Sequence, residues 1–189
     1  MRFSEIYSDE RDVAVILGDG TYDRKVVRNL AEKFDGGDLS LAEPFLPSIY
    51  MVKKGLSALE GLIWLLHKGY RIRRALYLVD REHIKSFDEI ENELKTMGCE
   101  VISFELLSED RAGVFSFRHG SREVRLYVAV AGIRCNLEEE IDELIRRVFG
   151  GASSRMSVKA IFRSISDIRI IKETVKGLSC VLQALERDR

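Results

Sequence analysis

Two carboxylates follow a short apolar segment in the first half of the chain. The segment Arg74 to Val79 has the β-branched and aromatic residues of a strand, and it leads into Asp80 and Glu82. Ligands of open α/β sheets gather outside the carboxyl ends of the strands, and residues i and i+2 of an extended chain point to the same side. Because Mg²⁺ prefers carboxylates, waters and substrate phosphates, we predict that Asp80 and Glu82 hold a magnesium ion. The alternative is that Asp80 opens a turn and Glu82 is solvated.

A glycine-bearing turn, Gly18-Asp19-Gly20, lies between an apolar segment and an amphipathic one. A turn of this kind at a helix N-terminus can bind phosphate through backbone N–H groups, so Gly18 and Gly20 are candidate phosphate-binding residues. Asp19 would stand at the end of the first strand, where it adds a third, catalytic carboxylate. The dinucleotide fingerprint is incomplete because Asp23 occupies a position that needs a small residue, and no Walker loop occurs. A plain turn between strand and helix is the alternative.

Cationic side chains divide between the two ends of the predicted strands. Lys54 and Arg81 follow strands, so we predict that they contact phosphate. Arg71, Arg73 and Arg74 precede the strand that ends at Asp80, and we interpret them as solvated surface charges away from the acidic edge.

The histidines and cysteines show no metal-ligand spacing. We interpret His67 as a packing or helix-terminal residue and place His119 in a hairpin turn, whereas His83 adjoins the acidic pair. The cysteines are three widely separated residues, which is typical of free thiols in a reducing cytoplasm: Cys99, Cys135 and Cys180.

The composition is that of a globular protein: 46% of the 189 residues are hydrophobic, 32% are charged, and the net charge is −1. This balance argues against a broadly basic nucleic-acid coat but allows a local basic site. Neither a membrane-spanning apolar run nor a signal-peptide pattern is visible, so we expect a cytoplasmic protein without a membrane partner. The low content of Gln and Asn beside abundant charge suggests a thermophilic source.

The first half of the chain alternates between strand and helix patterns. Strands are predicted at Asp12–Leu17, Ser48–Lys53, Arg74–Asp80 and Glu100–Leu106, with amphipathic helices between them. Two of these helices open with apparent capping boxes, at Ser57 to Glu60 and at Ser86 to Glu89. The alternation predicts a parallel sheet with right-handed crossovers.

The second half adds a hairpin and several helices. Apolar runs at 114–117 and 124–130 flank a glycine-bearing turn, and Asn136 caps a helix that reaches Phe149. A flexible joint follows, and residues 161–185 then carry an apolar stripe at helical spacing. We predict an α/β domain at residues 1–134 and a helical extension at 135–189, which packs on the same core or pairs two subunits of a homo-oligomer.

Three pieces of the chain together resemble the Toprim domain of topoisomerases, primases and related nucleases. They are Val13-Ala-Val-Ile-Leu-Gly18, then Ile49-Tyr-Met-Val-Lys-Lys-Gly55, then Leu76-Tyr-Leu-Val-Asp-Arg-Glu82. The resemblance covers residues 12–106 and implies a Toprim/Rossmann-like parallel sheet with flanking helices. It also implies that Asp80 and Glu82 take the D-x-D positions that bind Mg²⁺ for phosphodiester chemistry on nucleic acid.

The first Toprim motif departs from the family pattern. The family has a glutamate that acts in acid/base work where this chain has Leu17, and Asp19 lies two residues further along the turn. Metal-assisted phosphoryl transfer needs a group that manages protons. The chain is therefore either a magnesium-dependent nuclease or phosphoryl transferase, or a catalytically inactive Toprim-like module that binds nucleic acid or protein. A third hypothesis, a flavodoxin-like nucleotide-binding domain, rests on the Gly18-Asp19-Gly20 turn alone.

Overall fold

The computed structural model describes residues 1–4, 7, 12–18, 21–34, 39–150 and 156–188. They form seven strands and eight α-helices in a mixed order along the chain. The strands are β1 (Arg2–Ser4), β2 (Val13–Leu17), β3 (Ser40–Ala42), β4 (Arg74–Asp80), β5 (Glu100–Ser108), β6 (Ala112–His119) and β7 (Arg122–Ala131). The helices are α1 (Thr21–Ala31), α2 (Ser48–Met51), α3 (Leu59–His67), α4 (Phe87–Thr96), α5 (Leu137–Phe149), α6 (Val158–Ser164), α7 (Ile168–Thr174) and α8 (Lys176–Arg187).

All seven strands belong to one sheet, in the order β1-β3-β2-β4-β7-β6-β5. In this order the first five strands, β1, β3, β2, β4 and β7, run parallel to one another. β6 is antiparallel to both of its neighbours, β7 and β5. The predicted α/β class and the predicted hairpin are confirmed. The hairpin occupies an unexpected place, because β7 inserts next to β4 and moves β5 to the far edge of the sheet.

Helices cover both faces of this sheet. Residues of α3 and α4 pack with one set of strand side chains, for example Tyr77 and Val128, in one apolar cluster. The helices α1 and α5 to α8 pack with the alternate set, for example Leu76 and Tyr127, in the other. A strand that is buried on both faces has apolar residues at every position. This explains why β2 and β4 show no alternation of polar and apolar residues.

The apolar stripe of the C-terminal helices lies in the second of these clusters. Ile161, Ile171, Leu178 and Leu182 are all buried there against α1 and the sheet. These side chains therefore contribute to the core of the same chain. The division at residue 134 and the homo-oligomer through these helices stay predictions.

The strand predicted at Ser48–Lys53 is wrong. That segment forms the short helix α2, which begins after Pro47, and none of its residues is buried. The strand that lies between β2 and β4 in the sequence is instead β3, which pairs with both β1 and β2. Apolar content suggested a buried strand here, yet Ile49 and Val52 are 64% and 73% exposed. A short apolar run does not by itself distinguish strand from helix.

Of the three predicted helix caps, only the one at Asn136 forms as expected. Its Oδ1 accepts the N–H of Glu139 at 3.4 Å. The Ser57 hydroxyl instead donates to the carbonyl of Lys54, and Glu89 accepts the N–H of Lys85 rather than that of Ser86. Within the described segments, no helix has both the length and the apolar character needed to cross a membrane.

Candidate functional site

Asp80 lies at the carboxyl end of β4, as predicted, but its side chain is 1% exposed. Its Oδ1 accepts the backbone N–H of Leu137, the first residue of α5, at 3.1 Å. The first N–H groups of a helix have no partner within the helix, and the positive end of the helix dipole favours a carboxylate. Asp80 therefore stabilises the start of α5.

Glu82 occupies a different environment from Asp80. The chain leaves β4 in a 3₁₀ turn at Arg81–His83, and the Glu82 N–H donates to the carbonyl of Cys135 at 3.0 Å. The Glu82 side chain is 46% exposed, with its Oε1 3.9 Å from Nε2 of His83. The extended geometry that would aim both carboxylates at one ion is not formed.

The described residues cover the predicted magnesium site only in part. No group of three or more His, Cys, Asp or Glu side chains among them is arranged to hold a metal. One of the two carboxylates is buried against a helix, and the other faces solvent. Asp19, the third carboxylate expected, lies outside the described residues. The magnesium site at Asp80 and Glu82 therefore stays a prediction.

The glycine turn after β2 is packed closely against β4. The Gly18 N–H donates to the carbonyl of Leu78 at 2.8 Å, and its carbonyl accepts the N–H of Gly55 at 3.0 Å. A Cβ added at Gly18 would lie 2.9 Å from that Leu78 oxygen. The glycine is required for this close approach, and its N–H already has a partner. Gly20 lies outside the described part of the chain.

The two predicted phosphate-binding cations lie apart in different local structures. Lys54 is exposed and precedes the 3₁₀ turn that begins at Gly55. The Nη2 of Arg81 donates to the carbonyl of Asp110 in the turn between β5 and β6. Asp110 has a positive φ of 53°. Arg81 therefore holds a tight turn in place.

A buried ion pair next to Asp80 was not foreseen from the sequence. The carboxylate of Glu140 is completely buried, and its Oε1 lies 3.1 Å from Nη1 of Arg111. The same Nη1 donates to the carbonyl of Gly132, whereas Oε2 of Glu140 is buried without a hydrogen-bond partner. Burial, followed in a smaller measure by the charge of Asp80, raises the pKa of Glu140 to about 7.

This pair joins three parts of the fold. Arg111 belongs to the turn before β6, Gly132 follows β7, and Glu140 lies in the first turns of α5. A signal for Glu140 was present in the sequence, since it lies three and four residues from the core positions Leu137 and Leu144 and therefore on the buried face of α5. The acidic edge thus consists largely of carboxylates that hold α5 against the sheet.

The opposite, amino-terminal edge of the sheet contains a cavity of about 420 Å³. Four arginines from the beginnings of β4 and β7 dominate its lining, together with one acidic and two uncharged residues. The lining residues are Arg71, Ile72, Arg73, Ser121, Arg122, Glu123 and Arg125. The sequence suggested only solvated charges here, because the two pairs of arginines are far apart in the chain and meet only through the β4–β7 pairing.

Some of these arginines are positioned by hydrogen bonds. Nη1 of Arg122 donates to the carbonyls of Leu66 and Tyr70, at 2.5 and 2.9 Å, and thereby satisfies the C-terminal end of α3. Nη1 of Arg125 pairs with the carboxylate of Asp188. Arg71 and Arg73 are exposed at the rim. The cavity therefore combines arginines that bond to α3 and Asp188 with arginines that are exposed residues.

The chain matches no family model, no curated protein and no solved structure.

Proposed function

We propose that this chain is a catalytically inactive, Toprim-like α/β module that binds nucleic acid through its phosphates. The observation that carries the proposal is the arginine-lined cavity at the amino-terminal edge of the sheet. Four guanidinium groups face the carboxylate of Glu123 and that of Asp188, which pairs with Arg125, and so leave this surface with a local positive charge in a chain whose net charge is −1.

Arginine suits this role because of its shape and its permanent charge. The planar guanidinium pairs with two phosphate oxygens at once, and it stays protonated throughout the physiological pH range. A cavity of about 420 Å³ lies in the size range of small-molecule sites, so it has room for a phosphate and its attached sugar. Contacts of this kind position a nucleic acid without reading its sequence.

The absence of catalysis is proposed on two observations at the carboxyl edge. Leu17 occupies the position at which the resembled family has its acid/base glutamate. Asp80 is buried, and its carboxylate accepts the backbone N–H of Leu137. Phosphoryl transfer through a metal requires both an open coordination site and a group that manages protons. Neither requirement is met by these two residues.

The test compares the two edges of the sheet by oligonucleotide binding. The variant Arg71→Glu with Arg73→Glu changes exposed side chains at the cavity, and the matched variant Lys53→Glu with Lys54→Glu makes the same charge change at the carboxyl edge. Fluorescence anisotropy with labelled single-stranded and duplex oligonucleotides, in EDTA and at low salt, gives the affinities. We expect the arginine variant alone to lose at least tenfold in affinity, because it replaces two attractive charges with repulsive ones.

Three outcomes would contradict the proposal. Loss of affinity only in the lysine variant would move the site to the carboxyl edge, and absence of binding in the wild type would remove nucleic acid as the ligand. Magnesium-dependent cleavage by the purified protein that disappears in Asp80→Asn would show that the chain is an enzyme.

A further inference from the structure

Two histidines that are distant in the sequence meet at one corner of the molecule. His67 is the last residue of α3 and His119 the last residue of β6. Their Nε2 atoms are 3.2 Å apart, and the two rings are nearly perpendicular, at 85°. On the other side of the His119 ring, Nδ1 lies 3.6 Å from Sγ of Cys99.

The separation of the two nitrogens is a hydrogen-bond distance, and it is also close to that between two ligands of one metal ion. Zinc binds histidine nitrogen at about 2.0–2.1 Å in tetrahedral sites, which places two such nitrogens about 3.3–3.4 Å apart. We propose that His67 and His119 chelate a divalent transition-metal ion of the Zn²⁺ type through their Nε2 atoms, with water completing the coordination. This site is independent of the function proposed above.

Cys99 acts in this site as a positioning residue for His119. It is 6% exposed, so its sulfur lies within the core beside the His119 ring. Ligating histidines usually have a partner on their second ring nitrogen, which fixes both tautomer and ring orientation. The sulfur at Nδ1 of His119 provides that partner and leaves Nε2 available for the metal.

Cationic residues close to the two histidines in sequence are held by neighbouring groups. Arg122 donates to the carbonyls of Leu66 and Tyr70, and Arg118 pairs with Glu100 at 2.9 Å. Lys68 lies over the Trp64 ring, with Nζ 5.7 Å from its centroid.

The test uses the full chain without an affinity tag, because the sequence contains only three histidines. Zn²⁺ and Ni²⁺ are titrated calorimetrically into the wild type and into His67→Gln, His119→Gln and His83→Gln. We expect one ion per chain in the wild type, at least tenfold weaker binding in the first two variants, and unchanged binding in the His83 control. Cys99→Ala should weaken binding about tenfold, the lower end of the loss seen for changes in groups that orient ligands, whereas Cys99→Ser should retain it because a hydroxyl also accepts the Nδ1–H.

A second measurement keeps the test valid if a variant is less stable. Zn²⁺ should raise the melting temperature of the wild type and of His83→Gln but not that of His119→Gln, because only binding to the folded state stabilises it. The absorption spectrum of the wild type with bound Co²⁺ should contain no thiolate-to-cobalt charge-transfer band. Absence of saturable binding in the wild type, equal binding in all variants, or a thiolate-to-cobalt band would overturn the two-histidine site.

Discussion

Asp80 accepts the N–H of Leu137 and thereby connects the carboxyl end of β4 with the first turn of α5. A buried acceptor of this kind satisfies a backbone donor that would otherwise have no partner. Removing one partner of a buried hydrogen bond costs about 1–3 kcal/mol, more than the net contribution of an average hydrogen bond.

We therefore predict that Asp80→Ala lowers the free energy of unfolding by about 1–3 kcal/mol, whereas Asp80→Asn loses less because the amide keeps one acceptor oxygen. Urea denaturation monitored by circular dichroism measures both values. Glu82→Ala is the matched control and should stay within about 0.5 kcal/mol of the wild type, since its side chain is exposed. Equal effects at the two positions would contradict the capping role.

Glu140 makes the stability of the protein depend on pH. Burial raises its pKa from 4.5 to about 7, so the folded state holds this proton more tightly than the unfolded chain does. Its stabilising contribution is complete below pH 4.5 and is lost as the pH rises through about 7. We predict that Glu140→Gln abolishes this part of the pH dependence, which amounts to about 3 kcal/mol for a shift of this size.

The measurement is the free energy of unfolding at a series of pH values between 4 and 8, for the wild type and the Glu140→Gln variant. The difference between the two curves isolates Glu140, since other groups titrate in both proteins. Glu138→Gln, a change at an exposed residue of the same first turn of α5, serves as the control and should follow the wild-type curve. Parallel curves for wild type and Glu140→Gln would show that Glu140 is not buried as described.

At the scale of elements, the close approach of α8 to the sheet depends on Gly177. A Cβ added there would lie 2.5 Å from the carbonyl oxygen of Val130 and 2.6 Å from that of Arg111. Both are backbone atoms, which cannot move without displacing a strand or a turn. The glycine therefore sets the distance between α8 and β7.

We predict that Gly177→Ala lowers the free energy of unfolding by about 1–3 kcal/mol, the usual range for an overpacked core. The matched control is Gly61→Ala in α3, where the nearest atom to the added Cβ is the flexible end of Leu46 at 3.0 Å and Tyr50 Cβ lies at an ordinary contact distance of 3.7 Å. There, the gain in helix propensity of about 1 kcal/mol should leave stability unchanged or raised. Thermal unfolding of both variants gives the comparison, and equal losses would contradict the packing argument.

Long elements with a clear period could be predicted from the sequence. The buried run of β4, the amphipathic α5 and the stripe of the C-terminal helices all lie where their patterns placed them. The short apolar run at α2 could not be assigned correctly, because its side chains are not buried and its period is too short to measure. The three-residue strands β1 and β3 carry almost no pattern.

The candidate site was less predictable, because it depends on pairings between distant segments. The predicted position of Asp80 at a strand end was correct. The sequence did not show that the first residue of α5 lies within hydrogen-bond distance of its carboxylate. The arginine cavity and the histidine pair both require β6 and β7 to lie beside β4 and α3. The local sequence of a hairpin does not indicate which strands and helices lie beside it in the sheet.

Considered as a whole, the molecule carries different clusters of charged groups at the two edges of the sheet. Buried carboxylates lie at the carboxyl edge, and the arginine cavity lies at the amino edge. We predict that oligonucleotide affinity falls linearly with salt on logarithmic scales, and that Arg71→Glu with Arg73→Glu lowers the slope by about two, one for each phosphate contact. Anisotropy titrations at several salt concentrations measure this slope, and a slope unaffected by the substitutions would place the contacts elsewhere.

The insertion of β7 also has a consequence for how the chain folds. The strands β5, β6 and β7 are consecutive in sequence and are joined by short turns, whereas β7 meets β4 and β4 meets β2 only across long stretches of chain. Long loops make such pairings slow to form. We therefore expect the three consecutive strands to become ordered first during refolding. The side of β7 that pairs with β4 then acts as the template on which the parallel half of the sheet assembles.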